Sequence, residues 1–177
     1  MAKYYDKQMY DFRKFNDHFN ASLIKELDFE NEVGNLEYCR ECFRTDKDVY
    51  IPETYTDQSS KRVIIMEFIN GVKIDDLESI EDKFGKGAPK EACDILNKVF
   101  SDMIFKFGFV HCDAHPGNIF VRENPDVAKR PQVVLLDHGF YCKLPEEFRQ
   151  DFCNMWYSLN TMDYENVKNL AHKMGIG

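Results

Sequence analysis

The sequence predicts an α+β fold divided into two lobes, the second mostly helical. Three observations carry that expectation. Apolar residues recur at helical spacing in several separate stretches. Between them, short runs rich in Val, Ile and Tyr have the composition of strands. An irregular acidic segment over residues 70–90, with Asn70, Gly71, Asp75, Asp76, Gly85, Gly87 and Pro89, separates the two halves. The expected organisation is therefore a partial first lobe over 1–70, a connector over 71–90 and a partial second lobe over 91–177.

The elements follow in order. Tyr4, Tyr5, Met9, Phe12, Phe15 and Phe19 are spaced as one amphipathic helix over residues 1–20. A second helix is expected over 28–43, where Phe29, Val33, Leu36, Cys39 and Phe43 repeat at helical spacing among Glu30, Glu32 and Glu37. Val49-Tyr50-Ile51-Pro52 and Arg62–Phe68, separated by Thr56-Asp57-Gln58-Ser59-Ser60, read as a strand pair at a sheet edge. Asp75-Asp76-Leu77-Glu78 reads as solvated loop. From Glu91, the residues Ala92, Ile95, Leu96, Val99, Met103, Ile104 and Phe107 form the clearest helical series, stopped by Gly108. Strands near 119–121 and 133–136 flank a turn-rich insert, and helices opening at Pro145 and near Asp163 close the chain. Phe148, Phe152 and Trp156 are expected in the core.

Composition narrows the function classes. The chain has 177 residues, 44% of them hydrophobic, with 15 Phe and 9 Tyr, which is too apolar for a disordered protein. Lys and Arg number 23 against 31 Asp and Glu, a net charge of −8, so no basic field exists to hold a nucleic acid. The longest apolar runs, Val63–Met66 and Val133–Leu136, fall far short of the ~20 residues of a membrane helix. The six cysteines are scattered and lie mostly in apolar stretches, which predicts reduced, buried thiols. Cys39-x-x-Cys42 has half of a zinc-ribbon spacing, but nothing completes it.

The chemistry concentrates where strands meet turns. Gly108-Phe109-Val110-His111-Cys112-Asp113-Ala114-His115-Pro116-Gly117-Asn118 leads into one strand, and the next runs into Asp137-His138-Gly139. Phosphoryl transfer needs one carboxylate at the nucleophile, and an amide oxygen with a second carboxylate to hold Mg²⁺ against phosphates. Asp113, Asn118 and Asp137 suit those roles. Asp113 and Asn118 have the five-residue spacing of a kinase catalytic loop, and Asp137-x-Gly139 after an apolar strand matches the metal-binding D-F-G. Gly139 is expected to let the backbone turn behind the carboxylate.

These segments, 108–121 and Leu135-Leu136-Asp137-His138-Gly139-Phe140-Tyr141, closely resemble the UbiB, or aarF-domain-containing, family of atypical kinase-like proteins. Glu26-Leu27-Asp28-Phe29-Glu30-Asn31-Glu32 resembles that family's E-x-D motif and helix Glu, and Met66-Glu67-Phe68-Ile69-Asn70-Gly71 resembles its hinge. The resemblance extends over about residues 22–175 and is most similar to the mitochondrial branch. It implies a two-lobed kinase-like fold with a truncated first lobe, and ATP with Mg²⁺ as cofactors. Asp113 would be the catalytic acid, Asn118 and Asp137 the metal ligands, and Glu32 the partner of a phosphate-clamping lysine. Glu26 and Asp28 would form the E-x-D element. Met66 would be the gatekeeper, the backbone of Glu67 and Ile69 would meet the adenine edge, and Phe120 would floor the base pocket.

The family's K-x-G-Q segment, Ala-rich loop and strand lysine lie upstream of the E-x-D motif, and residues 1–25 contain none of them, so the expectation is a fragment or a divergent protein without the phosphate-gripping half of its first lobe. Only a short stretch separates Gly139 from Pro145 and no A-P-E follows, which disfavours a peptide-docking segment. The implied partners are ATP or ADP and a lipid- or quinone-pathway small molecule, in a mitochondrial setting tied to quinone or lipid homeostasis. Membrane association would belong to the full-length protein. Two alternatives stand beside this reading: a nucleotide-binding scaffold without phosphotransfer, and a transition-metal hydrolase using His111, Asp113 and His115. In the kinase-like reading His111 and His138 brace the loop.

Overall fold

The computed structural model describes residues 29–176. The expected helix over 1–20, Glu26 and Asp28 lie outside the described residues. The first described element is helix α1 (Phe29–Cys42), with Glu30 and Glu32 in its first turn and Arg40 in its last, the charge order that complements a helix dipole. It buries Leu36 and Cys39.

The expected strand pair is rearranged. Strand β1 (Val49–Tyr50) turns away from 62–68 and pairs in parallel with strand β5 (Pro131–Leu135). What remains of the hairpin is shifted to 53–55 against 65–67, held by Tyr55 N–H to Ile65 O at 2.8 Å and Glu67 N–H to Glu53 O at 2.8 Å. The pairing there is reduced to isolated bridges, Thr54 with Met66 and Ser60 with Val63. Two forces divide the run. Val49 and Ile51 are buried against the sheet, and Pro52 has no N–H to continue a ladder.

Strand β2 (Val72–Lys73) follows, and helix α2 (Leu77–Phe84) occupies part of the segment expected to be irregular. Asp76 caps this helix, its side chain accepting from Ser79 N–H at 3.1 Å, and Ile80 is fully buried. The signal was present: a capping Asp followed by Leu77, Ile80 and Phe84 on one face. Helix α3 (Ala88–Ser101) starts three residues before Glu91, with Pro89 in its first turn, and continues as a widened π-helical stretch over Asp102–Phe107. Gly108 ends it in the left-handed region at φ 61°, and a Cβ there would stand 3.0 Å from Arg149 Cδ. Gly108→Ala is therefore expected to cost about 1–2 kcal/mol, read as a lower urea midpoint at unchanged slope.

Strands β3 (Phe109–His111) and β6 (Tyr141–Lys143) pair antiparallel as a two-stranded ribbon that the sequence reading did not anticipate. Each has only three residues and no run long enough to show a period. Strand β4 (Ile119–Glu123) and β5 extend the expected pair by a few residues, and the larger sheet has the order β1-β5-β4-β2. It draws strands from both sides of the 71–90 connector. Every residue of β5 is buried, as suits a central strand covered on both faces. Leu36 of α1, Val99 of α3, Met103, Val133 and Leu135 meet in the main core.

Helices α4 (Glu146–Asn160) and α5 (Tyr164–Lys173) open where expected, after Pro145 and at the cap Asp163, whose side chain accepts from Asn166 N–H at 3.1 Å. Phe148, Phe152 and Trp156 are not core residues. They form a half-exposed aromatic ladder with Phe105, the rings of Phe105 and Phe152 stacking at 5.7 Å. Among the described residues no helix is long and apolar enough to cross a membrane.

Candidate active site

Two ladders end at the same place and bring distant polar residues together. In the β4–β5 ladder Ile119 faces Leu135, and Leu136 N–H bonds Asn118 O at 2.9 Å one step beyond. Asn118 and Asp137 are thereby neighbours, and Asn118 Nδ2–H donates to Asp137 Oδ2 at 2.8 Å. In the β3–β6 ladder His111 faces Tyr141, and Cys112 N–H bonds Phe140 O at 3.0 Å. This second closure sets Asp113 beside Gly139 and Phe140. A short 3₁₀ turn over Pro116–Asn118 spans between Asp113 and β4, closed by Gly117 N–H to His115 Nδ1 at 3.0 Å and Asn118 N–H to His115 O at 2.9 Å.

Helix α1 supplies the third wall. Glu32, Asp113 and Asp137 line one cavity of about 310 Å³ together with Phe29, Gly139 and Phe140. Asp137 Oδ1 accepts from Gly139 N–H at 2.9 Å, and Glu32 Oε1 accepts from His138 N–H at 3.4 Å. Burial, and secondarily the Asp137 charge, raise the Glu32 carboxyl above its ordinary range, against the opposing pull of the His138 N–H. Gly139 is not in a left-handed conformation, so its role differs from the expected one. A Cβ at this position would sit 3.4 Å from Asp137 Oδ1 and 4.0 Å from Glu32 Oε2, so the glycine keeps space open between the two carboxylates.

A buried stack holds this arrangement from beneath. His138 is fully buried; its Nε2–H donates to Leu135 O at 3.1 Å, which leaves Nδ1 to accept from the Tyr141 hydroxyl at 2.9 Å. Asn35 Nδ2–H donates to His138 O at 2.9 Å, tying the segment after Asp137 back to α1. Desolvation holds the His138 imidazole down at about 4, so it is neutral at physiological pH. His111 lies nearly parallel to Tyr141 at 4.9 Å, and its Nδ1 accepts from Asp113 N–H at 3.3 Å. Both histidines thus brace the loop, as anticipated. Asn35 and Tyr141 were missed, although Asn35 lies three residues after Glu32 on one helix face, a spacing that makes them neighbours.

The residues compared with a hinge stand elsewhere. Glu67 N–H is engaged with Glu53 O, while its carboxylate accepts from the Tyr50 hydroxyl and lies 3.7 Å from Arg122. Ile69 is buried and Met66 half-buried. Gly71 abuts β4 so closely that a Cβ would be 2.9 Å from Val121 O and 3.5 Å from Phe120 Cβ. These groups, with Phe120 facing Lys73 across the β2–β4 pair, do not line the carboxylate cavity.

Asp137 and Asn118 offer hard oxygen donors from one carboxylate and one amide. That set fits Mg²⁺, which takes one or two protein carboxylates and leaves its other positions to water and phosphate oxygens. The hydrolase alternative fits poorly. Among the described residues no group of three His, Cys, Asp or Glu side chains is arranged to hold a metal, and the Nδ1 atoms of His111 and His115 are engaged by backbone N–H groups. Cys39 is buried under the Tyr141 hydroxyl, and desolvation pushes its thiol up to about 12. All six cysteines are free, but Cys93, Cys112 and Cys142 are exposed, against the expectation of buried thiols.

Comparison with known proteins gives a consistent result. Residues 1–171 match the ABC1 atypical kinase-like domain. The chain is 40% identical over 158 residues to a probable serine/threonine-protein kinase, abkB, of Dictyostelium discoideum, covering 89% of this chain and 23% of that protein. It is 40% identical over 166 residues to the AarF domain-containing protein kinase 1 of Mus musculus, covering 94% of this chain and 31% of that one. Its counterpart in Xenopus laevis is 37% identical over 168 residues, covering 95% of this chain and 32% of its own length. The chain therefore spans about a quarter to a third of the length of these curated relatives. Among solved structures, the complex of Rv3197 with erythromycin from Mycobacterium tuberculosis superposes with a TM-score of 0.58 at 22% identity, covering 84% of this chain and 35% of that one. The α+β arrangement described above is a kinase-like fold.

Proposed function

The chain belongs to the ABC1 atypical kinase-like domain family, and from that premise we propose that it carries a Mg²⁺-dependent ATP and ADP site used for atypical phosphoryl transfer or ATP hydrolysis. The observation that carries this reading is the convergence of Asp113, Asn118 and Asp137 at the ends of two ladders, with Asn118 and Asp137 in direct contact. Asp113 accepts a proton from the attacking hydroxyl or water. Asn118 and Asp137 hold Mg²⁺, which when bound neutralises charge on the phosphate oxygens. Glu32 faces the same cavity and is placed to receive the ammonium of a phosphate-binding lysine. Met66, Glu67 and Ile69 form the hinge against the base, with Phe120 beneath it, and Glu26 and Asp28 form the family's E-x-D element. The first lobe comprises 1–70, the connector 71–90 and the second lobe 91–177. The setting is mitochondrial quinone or lipid homeostasis, with a small molecule of such a pathway rather than a peptide as partner.

Calorimetric titration of ATP and ADP with and without Mg²⁺ tests the site. Saturable binding is expected only with Mg²⁺, and Asp137→Ala is expected to abolish it while the chain stays folded by circular dichroism. A folded wild-type chain that takes up neither nucleotide would overturn this reading, and Mg²⁺-dependent binding without turnover would favour the nucleotide-binding scaffold.

A further inference from the structure

We propose that Cys112 and Cys142 form a redox-active dithiol whose reversible disulfide links the loop carrying Asp113 to the strand that follows the Asp137 segment. The register places Val110 opposite Cys142, and Cys112 N–H bonds Phe140 O, so the two cysteines are diagonal neighbours on the same face of the β3–β6 ribbon. The Cys112 Sγ–H donates back to Val110 O at 3.3 Å, and Val110 stands directly opposite Cys142. Both residues are exposed, and both are free thiols. Of the other cysteines Cys39 is buried, Cys42 and Cys153 are half-buried, and Cys93 sits on α3, outside the ribbon.

The bridge has a mechanical consequence. Diagonal neighbours in a ladder lie about 7–8 Å apart at Cα, whereas a disulfide holds its Cα atoms about 4.4–6.8 Å apart. Closing it draws the bend at Cys112 towards β6, and Asp113, the next residue, moves relative to Asp137. The oxidant is a low-molecular-weight disulfide. One cysteine thiolate attacks a sulfur of that disulfide, its S–S bond breaks and one small thiolate leaves. The second cysteine attacks the resulting mixed disulfide, the protein S–S bond forms and the second small thiolate leaves. The two protein thiols are oxidised, the small disulfide is reduced to two thiols, and those thiols take up the two protons.

The test incubates the whole chain with oxidised glutathione in mildly alkaline solution, followed by alkylation, intact mass and peptide mapping. The expected result is the loss of two alkylatable thiols and two hydrogen masses, a cross-linked peptide pair containing Cys112 and Cys142, and full reversal by dithiothreitol. Cys112→Ser and Cys142→Ser are each expected to abolish the product, and Cys93→Ser to leave it intact. Stable glutathione adducts on both cysteines without a cross-link, or a cross-link to any other cysteine, overturns the proposal. Oxidation is also expected to lower single-turnover phosphoryl transfer, which reduction restores, a readout that rests on the proposed function. Unchanged turnover in a cross-linked chain overturns the coupling to Asp113, whereas a chain that turns nothing over in either state refutes the phosphoryl-transfer reading and leaves the dithiol to the mass measurement.

Discussion

Acidification is expected to destabilise this domain through His138. The imidazole is fully buried between Leu135 O and the Tyr141 hydroxyl, and desolvation lowers it from 6.5 to about 4. A histidine depressed in the folded state binds protons better when unfolded. The stability it contributes is therefore complete above the unfolded value near 6.5 and is lost as pH falls towards about 4. In metal-free buffer, urea midpoints are expected to report a decline of about 1.4 kcal/mol per pH unit across that window, reaching about 3 kcal/mol. His138→Phe preserves the ring volume but leaves the Leu135 carbonyl and Tyr141 hydroxyl without their partner. It is expected to be less stable than wild type at pH 7 by about 1–3 kcal/mol, and to lose less stability on acidification. A wild-type midpoint independent of pH between these limits would overturn the assignment of His138 as the buried neutral base.

The second large effect separates the two aspartates of the cavity. Asp113 lies across the cavity from the Asn118–Asp137 pair and does not hydrogen-bond it. On the proposed reading Asp113→Asn lowers phosphoryl turnover about 10²–10⁴-fold, the usual range for a lost general base, while Mg·ATP affinity is unchanged. Asp137→Ala loses both, because it removes the carboxylate that anchors Mg²⁺ and the acceptor that orients Asn118. Single-turnover kinetics and calorimetry on the same preparations distinguish these patterns. Equal losses of binding in both variants would mean that Asp113 holds the metal and not the nucleophile.

Much of the fold was legible wherever a period ran long enough to be read. Helices α1, α3, α4 and α5 each present an apolar series or a capping residue, and the pair β4 and β5 show as β-branched runs. The elements that escaped are short. A three-residue strand such as β3 or β6 has no periodicity, and its pairing energy comes from a partner some thirty residues away. The 49–52 run read correctly as extended but was matched to the wrong partner, since Pro52 and the burial of Val49 favour β5 over the nearby hairpin.

The site divides in the same way. Asp113, Asn118, Asp137 and Glu32 stand in motifs whose residue types and spacings are local properties of the chain, so the candidate acids, the amide and their order can be read along the chain alone. Their meeting is not local. It depends on two ladders ending in register and on α1 packing across them, and these are set by long-range burial and hydrogen bonding that no short window contains. For the same reason the folded arrangement was needed to see that His138 rests on Tyr141 and Leu135, that Asn35 ties it to α1, and that Cys112 and Cys142 share one face. A buried polar atom must find a partner wherever the fold supplies one, and that partner is fixed by packing, not by its distance along the chain.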